Sequence, residues 1–297
     1  MTDDRLHQQR LSDTRGSGAG IAFFKLWYGA FGYTHTKVLV WVVTFFYMLF
    51  DSAARKKVDP YIRHRFPKAG VLGRCKHRWF IFAHQGMCLL WQELYDQLGR
   101  TYEVVYDSEE AKRISQSKAA VVVLYSHFGP WQLMMRTLVT TRNFINIMAQ
   151  DDRNANVDKM KIFSERDLAK KAAQVSTAPG NLLALQQALE RGEFIALMGD
   201  RNFEPSPLAV DYLGETAYFP IAAFHLAARA KCPVLCMFAH YDGRRYVMEC
   251  CEPMHPEMKG RNREQLRPYL ERYTKHLEKL CMDYPYDCFS MTNHWIK

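Results

Sequence analysis

Residues 121–132 read Val-Val-Val-Leu-Tyr-Ser-His-Phe-Gly-Pro-Trp-Gln. From Ala119 to Tyr125 the chain is apolar and rich in β-branched residues, which predicts a buried strand. Ser126 to Pro130 make a turn, and Trp131–Val139 reads as a helix. Pro130 suits the start of that helix, where a missing N–H costs nothing. His127 therefore falls at the end of a strand and just before a helix, where an α/β sheet opens its ligand crevice. Gln132 follows about one helical turn later, within reach of the imidazole. Taken alone, a histidine in such a turn is more often a hydrogen-bonded structural residue than a catalytic one.

Working outward, the same strand-then-loop pattern recurs. Gly180–Arg191 has leucines and alanines at helical spacing and is closed by Gly192. Phe194–Met198 is a short apolar strand, and Gly199-Asp200-Arg201 ends it with charge. An Asp-Arg pair there is either a second set of groups at the crevice or a surface ion pair worth little. Asn143–Ala149 reads as a strand followed by the polar loop 150–154, which carries Arg153 and Asn154. Strands are also expected at Tyr102–Tyr106, Cys232–Ala239 and Tyr246–Cys251, and helices at Trp79–Leu98, Ser108–Ser117, Ile221–Ala230 and Arg263–Cys281. His84, inside the first of these helices, has no carboxylate four or five residues on and reads as a packing residue. Strands alternating with helices predict one α/β domain, a mixed and mostly parallel sheet flanked by helices. No internal repeat, P-loop or dinucleotide fingerprint is present.

The 297 residues are 48% hydrophobic and 13% aromatic, which excludes general disorder. A formal charge of +9 calls for an anionic partner. Nucleic acid, anionic lipid and the phosphates of a carrier all qualify. Eight cysteines stand without a C-x-x-C pair, and the first 20 residues lack the apolar core of a signal peptide, so reduced thiols are expected and no zinc site. Residues 1–20 read as a mobile tail, and residues 21–297 as the domain. Within it, residues 21–66 are expected as a membrane-interface helical segment, whose part Ile21–Phe50 is apolar and rich in Trp, Tyr and Phe. The uninterrupted apolar run Val38–Phe50 is 13 residues, short of the roughly 20 that cross a bilayer, so interfacial helices are expected. Arg55, Lys56, Lys57, Arg63, Arg65, Lys68, Arg74, Lys76 and Arg78 follow with only Asp59 between them, a pattern suited to an anionic membrane surface. The alternative is a solvated basic face over a core helix.

These motifs, in this order, resemble a known family. An apolar strand, His127-Phe128-Gly129-x-Trp131 and a polar residue five after the histidine resemble the H-x4-[D/E] motif of glycerolipid-type acyltransferases. Within that superfamily they look most like the late (lauroyl and myristoyl) acyltransferases of lipid A synthesis, whose motif commonly reads HFGNWE. The position of the acid is Gln132. Helix, Gly192-Glu193, apolar strand and Asp200-Arg201 recur in the same family. So does Val210–Ala239, where Gly214 and Pro220 fit, Tyr212 stands for the usual phenylalanine and Ala222 for a common glycine. The closing aromatic segment Tyr284–Lys297 also fits, so the resemblance runs from about residue 20 to residue 297.

The resemblance implies transfer of an acyl group from an acyl carrier protein or coenzyme A thioester to a hydroxyl of a membrane lipid or glycolipid of the lipid A type. His127 would be the general base. Gln132 would orient it, and Asp200 would supply the charge that Gln132 lacks. Gly129 and Trp131 would lie on the substrate side, with backbone N–H groups near Gly129 polarising the thioester carbonyl. Arg153 and Asn154 would face the acceptor, and Arg201 would hold a phosphate or oxyanion. Neither a metal nor a cofactor beyond the thioester co-substrate is implied. The site implied is the cytoplasmic face of an inner membrane, held peripherally or monotopically, with no nucleic acid partner. Three rivals remain: a non-catalytic relative that binds lipid or acyl carrier, a basic RNA-associated protein, and a hydrolase using Ser126, which lacks a G-x-S-x-G elbow.

Overall fold

The computed structural model describes residues 18–98, 102–141, 145–149, 172–176, 182–201 and 207–296. The chain starts with three helices: α1 (Gly18–Phe50), α2 (Ser52–Arg65) and α3 (Val71–Leu98). Then come β1 (Tyr102–Tyr106), α4 (Glu109–Gln116), β2 (Val121–Tyr125), α5 (Trp131–Thr141), β3 (Ile145–Ala149), β4 (Ala172–Ser176), α6 (Leu182–Glu190) and β5 (Phe194–Met198). A hairpin of β6 (Leu208–Tyr212) and β7 (Glu215–Phe219) is followed by α7 (Ala222–Ala230), β8 (Val234–Tyr241), β9 (Tyr246–Cys250) and α8 (Arg267–Asp283).

Seven strands form one sheet in the order β1-β9-β8-β2-β5-β3-β4. Only the β8–β9 pairing is antiparallel, so β2 lies at the centre with parallel neighbours β5 and β8. All five residues of β2 are buried, which explains an uninterrupted apolar run rather than an alternating one. The period of two still sorts its side chains between the layers. Val122 and Leu124 join Ile195, Leu197, Val234 and Phe238 in a core shared with α3, α6, α7 and α8. Val121, Val123 and Tyr125 join Phe194, Ala196, Leu235 and Met237 in a second core, covered by α4 and α5. The chain is thus an α/β domain with a mostly parallel sheet flanked by helices and an apolar helix at its N-terminal end.

Three elements differ from expectation. Gly18–Gly20 belong to α1 instead of the tail; the rest of the expected tail lies outside the described residues. That helix kinks at Gly32, whose φ of 73° only glycine adopts readily, and runs through Lys25, His35 and Lys37. Isolated polar residues do not break a helix: His35 bonds the Phe31 carbonyl, and Lys25 pairs with Glu93 at 2.9 Å. Ala22–Phe50 is by length and composition able to cross a membrane, where the 13-residue run suggested too little. Its Trp41 packs edge-on against Trp79 and Phe80 of α3, while Phe46, Leu49 and Phe50 stay exposed. Residues 208–219, where the family resemblance from Val210 onward implies a single strand before the helix, fold into a hairpin turned by Leu213 and Gly214, both at positive φ. β4, whose sequence Ala-Ala-Gln-Val-Ser carries little apolar signal, was not expected at all.

Candidate active site

The site is built by sheet register. β2 and β5 run parallel with Tyr125 opposite Met198, the last residue of each strand. His127 and Asp200 each lie two residues beyond, so the two strands deliver them side by side at the same end of the sheet. Gly199 bridges the distance: its N–H donates to the Tyr125 carbonyl at 2.8 Å. A Cβ on Gly199 would stand 2.7 Å from the Leu124 side chain and 2.9 Å from the Tyr273 ring, so a larger residue there would have to displace these side chains.

The imidazole Nδ1 of His127 lies 3.1 and 3.0 Å from the two carboxylate oxygens of Asp200, and the His127 backbone N–H donates to the same carboxylate at 3.1 Å. Asp200 is 1% exposed and the His127 side chain 13%. Nε2 has no hydrogen-bond partner among the described residues, which leaves it as the nitrogen able to meet a substrate. Burial pushes the His127 pKa below its ordinary 6.5, helped by the Arg201 cation and opposed by Asp200. Burial alone would raise the Asp200 carboxyl, but the charge and hydrogen bonds of His127, together with Arg201, hold it below the usual carboxylate range. A neutral imidazole backed by an ionised carboxylate is a general base.

The turn carrying His127 is clamped. Gly129 has φ +52° and lies so close to β8 that a Cβ would sit 2.1 Å from the Ala239 carbonyl oxygen. Its own N–H donates to the Asp287 carbonyl at 2.8 Å, so among the backbone N–H groups near Gly129 expected to face a thioester carbonyl this one is already engaged. Trp131 is buried, its ring edge-on to the His127 ring at 5.5 Å, so it walls the imidazole. Gln132 makes no hydrogen bond to His127, and its side-chain oxygen is buried without a hydrogen-bond partner among the described residues. Asp200 holds the position behind the base that sequence spacing suggested for Gln132. Arg201 donates from Nε to the Ser290 carbonyl at 2.9 Å. Arg153 and Asn154 lie outside the described residues. Ser126 is buried, and no hydrogen bond joins it to His127.

Sequence reasoning missed how much the C-terminal segment contributes. Phe289 donates to the His127 carbonyl at 2.7 Å, and Phe128 and Cys288 form an antiparallel bridge. Ser290 donates from Oγ to the Asp200 carbonyl at 3.2 Å and also meets His294 Nε2 at 2.9 Å. Both residues of the pair are therefore held by the C-terminal segment, His127 by the Phe289 backbone N–H and Asp200 by the Ser290 hydroxyl. Only the run of aromatics in this segment hinted at it. Among the described residues no group of three His, Cys, Asp or Glu side chains is arranged to hold a metal.

The family model for bacterial lipid A biosynthesis acyltransferases matches residues 79–297. The chain belongs to that family. The match takes in the whole sheet, both halves of the His127–Asp200 pair and the C-terminal segment, and begins within α3, after α1 and α2. A search of curated proteins finds no match. Against the family motif, the replaced acid at Gln132 coexists with a carboxylate from the neighbouring strand on the histidine.

Proposed function

We propose that this protein transfers a fatty acyl group from an acyl thioester, on acyl carrier protein or coenzyme A, to a hydroxyl of a membrane lipid or glycolipid of the lipid A type. The reading rests on one observation: a buried carboxylate holds Nδ1 of His127 and leaves Nε2 open. In the reaction Nε2 removes the proton as the acceptor hydroxyl attacks the thioester carbonyl. Asp200 stabilises the imidazolium that forms. When the tetrahedral intermediate collapses, the C–S bond breaks and the imidazolium returns its proton to the thiolate, giving ester and free thiol. Arg201, whose charge acts on both His127 and Asp200, is assigned to the developing oxyanion or a donor phosphate. Arg153 and Asn154 are assigned to the acceptor side.

The exposed apolar face of α1 and the basic residues of α2 and α3 support attachment to an anionic membrane, which we assign to the cytoplasmic leaflet of the inner membrane. Labelled acyl transfer into a bacterial lipid extract, with thioester consumption followed in parallel, tests the activity. Transfer that disappears in His127→Ala and Asp200→Asn supports it, and the labelled lipid identifies the acceptor. Inertness of the native protein and of Gln132→Glu across carrier-protein and coenzyme A thioesters, with lipid binding retained, would establish a binding protein in its place.

A further inference from the structure

A second imidazole–carboxylate pair lies outside the crevice. His84, on α3, places Nδ1 2.7 Å from Oδ1 of Asp287, a residue 203 positions away in the C-terminal segment. The Asp287 side chain is only 9% exposed, whereas the His84 ring is 37% exposed between Trp41 at 6.2 Å and Tyr286 at 5.5 Å. Removing the imidazole would leave a nearly buried carboxylate without its one side-chain partner among the described residues, a costly state that the segment would relieve by turning the group toward water.

The backbone of Asp287 is what the crevice depends on. Its carbonyl accepts the Gly129 N–H at 2.8 Å, and two residues on, Phe289 donates to the His127 carbonyl at 2.7 Å. Gly129 is thus held between Ala239 on one side and Asp287 on the other. An Asp287 that rotates away withdraws the carbonyl from Gly129 and loosens the turn that aims His127.

We propose that His84 and Asp287 are positioning residues that act through the main chain of Asp287 to hold the catalytic turn in place. His84 does not share in the proton transfer; it fixes the segment against which Gly129 and His127 are set. Because α3 also packs along α1, the same pair links the apolar N-terminal helices to the crevice. The kinetic part of this proposal rests on the acyltransferase reading above; the structural part does not.

The test compares His84→Ala with His84→Asn, whose amide nitrogen falls near the position of Nδ1 and can still donate to Asp287. Hydrogen exchange is followed in peptides covering residues 126–131 and 284–290, together with kcat and KM for the thioester. In His84→Ala, exchange rises in both peptides, and kcat falls about 10- to 100-fold while the thioester KM is unchanged, the size expected of a displaced catalytic group. His84→Asn restores both, and the pH at which the acid limb of kcat falls is the same in all three proteins. Unchanged exchange in both peptides of a folded His84→Ala overturns the proposal. So does failure of His84→Asn to restore protection when it melts at the native temperature. If the native protein has no turnover, exchange alone decides, so failure of the enzymatic reading is distinguishable from failure of this one.

Discussion

The protonation of His127 sets the pH range over which it can act as a base. Its pKa lies below 6.5, so the ring is neutral at pH 7 and turnover should be level there, falling only as acid protonates Nε2 below that value. The neighbours have opposite signs. Arg201 lowers the pKa, so Arg201→Gln should move the acid limb to higher pH; Asp200 raises it, so Asp200→Asn should move the His127 titration to lower pH, as NMR of the labelled imidazole would record. In rate, losing the base or its carboxylate should cost about 10²–10⁴ in turnover, the usual worth of general-base catalysis. Gln132→Glu should leave turnover of the same order, because that side chain makes no hydrogen bond to the ring. A rise to a wholly new level of activity in Gln132→Glu would show that Asp200 does not serve the base.

Among the elements, the contrast between two glycines is measurable. Gly129 and Gly214 both have positive φ, but a Cβ on Gly129 meets the Ala239 carbonyl at 2.1 Å while one on Gly214 meets nothing within 4 Å. Gly214→Ala should therefore cost about 1–2 kcal/mol for the left-handed backbone alone. Gly129→Ala adds a collision with backbone that cannot move aside, and chemical denaturation should find it the more destabilised by a clear margin. The same level explains what could be read from the chain. β2 and β5 were legible because strands buried on both faces write continuous apolar runs, and α8 because its leucines keep helical spacing. The partner of His127 was harder. Counting along the helix points to Gln132, while pairing of strands 73 residues apart points to Asp200, and only the register of β2 on β5 decides between them. His84 was read as packing for the same reason: its carboxylate is distant in sequence, not four residues on. α1 was underestimated because a run of apolar letters is shorter than an apolar helical face.

For the molecule as a whole, the N-terminal helices form an antiparallel pair with a greasy end. Met48 and Cys75 touch at 3.8 Å, so the end of α1, with Phe50, and the start of α3, with Val71 and Leu72, lie at the same end of the pair. These three are 80%, 85% and 87% exposed. Each large apolar side chain fully transferred from water contributes roughly 1.5–3 kcal/mol, and each basic residue near an anionic surface about 1 kcal/mol. Replacing Phe50, Val71 and Leu72 together by serine should lower binding to phosphatidylglycerol-containing vesicles at least tenfold in a flotation assay. Binding should also weaken as salt rises. Equal flotation of the triple variant and the native protein would place the membrane contact elsewhere.

The dependence of the crevice on residues 287–290 also has a temporal meaning. Translation delivers α1 first, then His127, then Asp200, and only much later the backbone that receives Gly129 and His127. A nascent chain thus owns both members of its reactive pair while the turn between them is unsupported. The support of the pair is completed only once residues 287–290 have been made, long after the apolar helix α1. A ribosome stalled before residue 287 would display α1 and both His127 and Asp200, with the turn between them still lacking its partners Asp287 and Phe289.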